Sequence, residues 1–169
     1  MISKKVCLLG NFAAGKTSLV RRFVYNRFDD RYMSTIGVKV SRKMITLPHE
    51  GELVELSILL WDLAGSEEFD ALRASYLRGA SGAVLVCDLT RPETLDPLRV
   101  YAEELLRTNT HARLILAANK CDLVDQRRLS PAQIAVAAAA LDVPYYLTSA
   151  RSGEEVENLF RHLGRLLLS

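Results

Sequence analysis

The sequence predicts an α/β fold: a doubly wound, mostly parallel sheet of six strands, with one antiparallel strand and about five helices. Three observations carry this. Short apolar runs alternate with amphipathic segments from end to end. A single turn signal, "PHEGE", separates two strand-like runs with nothing helical between them. No repeat or composition shift marks a second domain, so residues 1–169 are expected to form one.

"KVCLLG" is a short apolar run ending in glycine, as a buried strand should be. After Lys16, the residues Leu19, Val20, Phe23 and Val24 share one helical face. "NRFDDRYMSTIG", residues 26–37, is polar and aperiodic, an exposed loop. "VKVSRKMITL" and "LVELSILLWD" flank the turn and form the hairpin. "GAVLVCD", "ARLILAANK" and "PYYLTSA" complete the strands. Pro97 fits a helix only near its beginning. Ser130, Pro131 and Gln133 make a capping box with proline at the first helical position. "AVAAAA" is favourable helix composition. Ser152 and Glu155 read as a second box, ahead of the stripe Val156, Leu159, Phe160, Leu163 and Leu167.

Hydrophobic content of 49% and 25% charged residues are ordinary for a globular chain. A net charge of +2 gives no reason to expect nucleic acid or a membrane surface as partner. The pairs Lys4–Lys5, Arg21–Arg22 and Arg127–Arg128 are scattered and are expected on solvated faces. Three cysteines without zinc-ligand spacing suggest reduced, buried thiols, and His49, His111 and His162 read as surface residues. No apolar run has membrane-spanning length, "MISKK" leads into no signal-peptide core, and no lipidation signal is evident. The expectation is a cytoplasmic monomer without a lipid anchor of its own, although a domain cut from a longer chain would read the same.

"GNFAAGKT", Gly10 to Thr17, matches G-x-x-x-x-G-K-[ST] and lies between a strand and an amphipathic helix. Such a loop wraps the backbone N–H groups of Ala13, Ala14 and Gly15 around a phosphate, with the helix dipole aimed at it. Lys16 adds a point charge for the β- and γ-phosphates, and Thr17 a hydroxyl for Mg²⁺. The fold class thus narrows to the P-loop NTPase fold. Asp62 ends an apolar strand, as a carboxylate holding Mg²⁺ through water should, and Gly65 leaves room to bring its N–H to a γ-phosphate. In "NKCD", Asp122 can accept from the ring N–H and exocyclic amine that guanine has and adenine lacks. In "TSAR", Ala150 can offer its N–H to the guanine carbonyl.

GNFAAGKT, the YMSTIG loop, WDLAGSEEF, NKCD and TSAR, in that order and spacing, resemble the small GTPases of the Ras superfamily, most nearly the Rab-like branch. The resemblance covers almost the whole chain and implies GTP or GDP with Mg²⁺. It implies that Phe28 packs on the guanine, Tyr32 covers the phosphates, and Thr35 binds Mg²⁺ and touches the γ-phosphate. Thr17, Thr35 and Asp62 would then be the metal set. Ser18, Asp30, Asn119, Lys120, Ser149 and Arg151 would join the nucleotide contacts. Residues near 28–40 and 64–76 would be switches that GTP orders, and effector and regulator proteins would read them.

Ser66 stands where most of that family has a water-orienting glutamine. Its hydroxyl is shorter and lacks an amide's combined donor and acceptor, so hydrolysis through Lys16, Thr35, Gly65 and Ser66 is expected to be slow. The Rap branch also has a hydroxyl here, and its activating protein inserts an asparagine. Phe12 replaces a small residue; it either obstructs an arginine finger or leans outward on the switch loops. Ala13 replaces a common glycine, a modest change if its backbone angles suit alanine. Glu67 and Glu68 are expected to face solvent or regulators. A GTP-bound interaction module with little turnover is the main alternative. A small-molecule P-loop kinase fits less well, because of NKCD and the lack of a lid-sized insertion.

Overall fold

The structure, a computed structural model, describes residues 1–29, 37–63 and 75–169. Strand β1 (Ile2–Gly10) leads into helix α1 (Lys16–Tyr25), and β2 (Val38–His49) and β3 (Glu52–Leu63) follow. Then come β4 (Gly82–Asp88), α2 (Leu98–Thr108), β5 (Arg113–Asn119), α3 (Pro131–Leu141), β6 (Tyr145–Leu147) and α4 (Val156–Leu168). Residues 75–77 are also helical. The sheet runs β2-β3-β1-β4-β5-β6, with β2–β3 antiparallel and every other pairing parallel. This is the fold the sequence predicts.

Side chains alternate across the sheet, so β1 sends Val6 and Leu8 to one core and Cys7 and Leu9 to the other. The first core is closed by α1 and α4, where Phe23 and Phe160 stack with centroids 4.1 Å apart. The second is closed by α2 and α3 through Leu98, Ala102, Leu105, Ile134 and Ala138. All three cysteines are buried and free. Burial pushes Cys7 up to about 11 and Cys87 to about 12. For Cys121, burial and the bond its Sγ donates to Glu154 push the thiol up to about 12, so none is poised as a nucleophile.

Local expectations fared unevenly. Pro97 directly precedes α2, and the Ser130–Gln133 capping box forms in both directions. The hairpin turn is tighter than "PHEGE": Pro48 and His49 pair with Leu53 and Glu52. Glu50 and Gly51 alone make the turn, with φ of 51° and 84°, the left-handed pair of a type I′ hairpin. Pro48 is tolerated because β2 is an edge strand. The second capping box does not form. Glu155 itself caps α4 in a left-handed conformation, and the Ser152 hydroxyl accepts from Glu154 N–H at 3.2 Å. Ser152 is instead tied into the preceding loop, its N–H donating to Ser149 Oγ at 3.0 Å.

Candidate nucleotide-binding site

Because β1, β3, β4, β5 and β6 run parallel, their C-terminal ends share one edge of the sheet. The chain winds outward in both directions from β1, and the crevice beyond such a switch point is where α/β sheets place ligands. Segments far apart in sequence therefore meet: the loop after β1, the end of β3 and the turns after β4, β5 and β6.

At the phosphate end Lys16 is 7% exposed and its Nζ donates to Gly10 O at 3.0 Å, spanning the loop from within. Burial pushes its ammonium down to about 8, partly offset by the Asp62 carboxylate. A polyphosphate would restore what burial removes. Thr17 Oγ1 donates to Asp62 Oδ2 in a very short contact, and Asp62 is buried. A hydroxyl and a buried carboxylate, both hard oxygen donors, touch at the mouth of the loop, and that donor set fits Mg²⁺. Ser18 is half-buried in the first turn of α1.

The loop's turn places Ala13 at φ 62° and Gly15 at φ 103°. The condition set for Ala13 is not met, since its angles are left-handed and suit glycine. Ala13→Gly is accordingly expected to stabilise the nucleotide-free protein by about 1 kcal/mol, even after the extra freedom glycine gives the unfolded chain. A higher urea midpoint at unchanged m-value would show it.

At the base end Asn119 is buried; its Nδ2 donates to Ala14 O at 3.2 Å, and its Oδ1 accepts from Thr148 Oγ1 at 3.2 Å and Ala150 N–H at 3.3 Å. One side chain thus links the phosphate loop to the loop after β6. Lys120, at φ 70°, turns back so that its Nζ reaches Ala13 O at 3.1 Å and Asp88 Oδ2 at 2.8 Å. Asp122 Oδ1 accepts from Ser149 Oγ at 2.8 Å, which aims the carboxylate. Ala150 and Ser149 are buried, Arg151 is exposed, and Phe28 packs half-buried against the core.

The structure therefore gathers Ala13, Ala14, Gly15, Lys16, Thr17, Ser18, Asp62, Asn119, Lys120, Asp122, Ser149, Ala150 and Arg151 along one edge. Asp30, Tyr32, Thr35, Gly65, Ser66, Glu67 and Glu68 lie outside the described residues. One member of each basic pair departs from the expectation of a solvated face by donating to backbone carbonyls, while Arg128 is exposed as expected. Arg22 donates through Nε to Ala150 O at 2.8 Å and through a second nitrogen to Arg151 O at 2.5 Å, bracing the base loop from α1. Arg127 donates to Cys121 O at 2.7 Å, and Lys5 to Arg78 O at 2.8 Å with its ammonium 3.8 Å from the Trp61 ring centroid. Asp88 and Arg91 were not anticipated at all. The available signal was an aspartate ending the fully buried strand "GAVLVCD" at the edge where the other motifs emerge.

A glycine-rich loop between strand and helix, a buried lysine within it and a hydroxyl–carboxylate pair beside it define a P-loop nucleotide-binding protein. The sequence matches the Ras family over residues 5–169. It is 36% identical to the Ras-related protein Rab-22A of Homo sapiens, over 98% of this chain and 84% of that protein. It is 36% identical to the GTP-binding protein YPTM1 of Zea mays, over 92% of this chain and 74% of the relative. With the Ras-related protein SEC4 of Candida albicans it shares 33% identity, over 96% and 76% of the two chains. The chain belongs to the Ras family of small GTPases, on its Rab-like branch. Among the described residues no helix is long and apolar enough to cross a membrane.

Proposed function

We propose that residues 1–169 are one nucleotide-binding domain acting as a GTP/GDP switch with slow, Mg²⁺-dependent hydrolysis of its own. The observation that carries this is the convergence of the Lys16 loop, the Thr17–Asp62 pair and the Asn119–Asp122–Ser149 cluster on one sheet edge. Loop amides and Lys16 would hold the phosphates, and Asp122 with the Ala150 N–H would select guanine. Thr17, Thr35 and Asp62 would hold Mg²⁺, which when bound neutralises charge on the phosphates.

Phosphoryl transfer to water depends on positioning and charge stabilisation, and the missing element is positioning. Lys16 supplies charge and Gly65 room for an N–H, but the Ser66 hydroxyl is too short to orient water as an amide does. A partner that brings a water-orienting group would restore the rate. Effectors and regulators are assigned to the segments near 28–40 and 64–76 with the adjoining hairpin, and the working place is the cytoplasm. The second reading, a GTP-bound interaction module with little turnover, draws on Ser66 and on Phe12, a residue of the loop itself whose surface is 45% exposed.

Single-turnover GTP hydrolysis with Mg²⁺, comparing wild type with Ser66→Gln, decides between them. The expected result is a slow wild type accelerated about tenfold by glutamine, as regained water positioning allows. A slow pair would favour the interaction module or obstruction by Phe12. A fast wild type would end the slow-GTPase reading.

A further inference from the structure

Asp88 ends β4 with no exposed surface, and its carboxylate accepts hydrogen bonds at Oδ1 and faces two cations at Oδ2. Oδ1 accepts from Thr90 N–H at 2.8 Å and Thr90 Oγ1 at 2.6 Å. Oδ2 lies 2.8 Å from Lys120 Nζ and 3.4 Å from Arg91 Nε. Both cations continue to the phosphate loop. Lys120 donates to Ala13 O at 3.1 Å, and Arg91 donates through a terminal nitrogen to Phe12 O at 2.7 Å. One buried carboxylate thus carries two cations that grip consecutive loop carbonyls. Arg91 is aimed by construction: its N–H donates to Asp88 O at 3.0 Å, and its carbonyl accepts from Thr94 Oγ1 at 2.7 Å.

A peptide plane carries its carbonyl and the next residue's N–H on opposite sides. Pinning Phe12 O outward therefore turns the Ala13 N–H inward, and pinning Ala13 O does the same for Ala14. Those amides belong to the cradle that the P-loop assigns to phosphate. The loop needs such restraint, because Ala13 is held at φ 62°, an angle alanine disfavours. An arginine making only a surface ion pair would have no reason to reach a loop 79 residues away in sequence.

We infer that Arg91 is a positioning residue for nucleotide retention, clamping the phosphate loop from outside by fixing the Phe12–Ala13 peptide. The inference rests on the guanine-nucleotide reading and adds a determinant of how long the nucleotide stays. The test is release of a fluorescent GDP analogue, chased with excess GDP in Mg²⁺, from wild type, Arg91→Met and Arg91→Lys, each with Ala13 and with Ala13→Gly. Arg91→Met keeps the apolar stem, and Lys120 still partners Asp88; Arg91→Ala is the second variant should methionine not fold.

Release from Arg91→Met is expected about tenfold faster than wild type, the loss of one charge-assisted hydrogen bond. Arg91→Lys should stay within about threefold, since an ammonium can still donate to the carbonyl. In the Ala13→Gly background the methionine effect should shrink to under about threefold, because a glycine loop needs less restraint. Unchanged release from Arg91→Met would overturn the clamp. Equal acceleration in both backgrounds without rescue by lysine would also overturn it, as general loosening. A wild type that retains no GDP would overturn the nucleotide reading itself, and the clamp with it.

Discussion

Gly15→Ala is expected to lower GDP affinity by about a thousandfold or more while leaving the sheet and both cores folded. Two effects add. Gly15 sits at φ 103°, where a Cβ brings strain of about 1–3 kcal/mol whatever the space around it. The new Cβ would also lie 2.2 Å from Asn119 Nδ2, far inside contact distance. Relief requires either the loop or Asn119 to move. If Asn119 moves, its bond to Ala14 O is lost, and with it the bonds its Oδ1 accepts from Thr148 and Ala150.

Each such bond is worth about 1 kcal/mol, and each leaves a buried partner unsatisfied when broken. The substitution therefore disturbs both ends of the candidate site together, because Asn119, which the new Cβ would strike, is bonded to the loop at Ala14 and to Thr148 and Ala150. Titration with a fluorescent GDP analogue measures the loss, and far-UV circular dichroism checks the fold. Affinity within tenfold of wild type would mean that the Gly15–Asn119 contact does not organise the site. Ala13→Gly, two positions away in the same loop, should move stability in the opposite direction, so the pair separates backbone strain from mere mutation of the loop.

The site was legible in the sequence wherever the chemistry demands one side chain at one spacing. Lys16, Thr17, Asp62 and Asp122 can be picked out because few residue types offer the charge or hydroxyl proposed for them at those distances from strand ends. The strands were legible because β4 and β5 are buried on both faces and read as continuous apolar runs. What stayed hidden depends on backbone angles or on contacts between distant segments. Nothing in "NFAAGK" announces that Ala13 adopts φ 62°. Arg22 looked like one of two solvated arginines, yet it braces a loop 128 residues away. Ser152 and Glu155 had capping-box spacing, but Ser152 was recruited into the loop that carries Ser149, and the helix was left to start on Glu155. Local pattern lost there to tertiary demand from the site.

Asp122 offers the sharpest test of base recognition. Its Oδ1 is held by Ser149 Oγ, which in turn accepts from Ser152 N–H at 3.0 Å, and the chain just before it is pinned by Cys121 N–H donating to Thr148 O at 3.0 Å. A carboxylate fixed this way presents acceptors in a set direction. On the proposed reading, guanine would answer with a ring N–H and an exocyclic amine, whereas adenine would present a bare ring nitrogen there and leave the carboxylate unpaired. A site built to accept from two donors rejects a ligand lacking them by about 10⁴–10⁵. Asp122→Ala should therefore lower GDP affinity by about 10³-fold or more and bring GDP and ADP to within about tenfold of one another. Competition of GDP and ADP against a fluorescent GDP analogue reads both quantities at once. Ser149→Ala should give a smaller loss of about tenfold, since it removes only the bond that aims the carboxylate. If Asp122→Ala weakened GDP and ADP equally, the discrimination would lie elsewhere, and Asp122 would be a structural member of the loop rather than the group that reads the base.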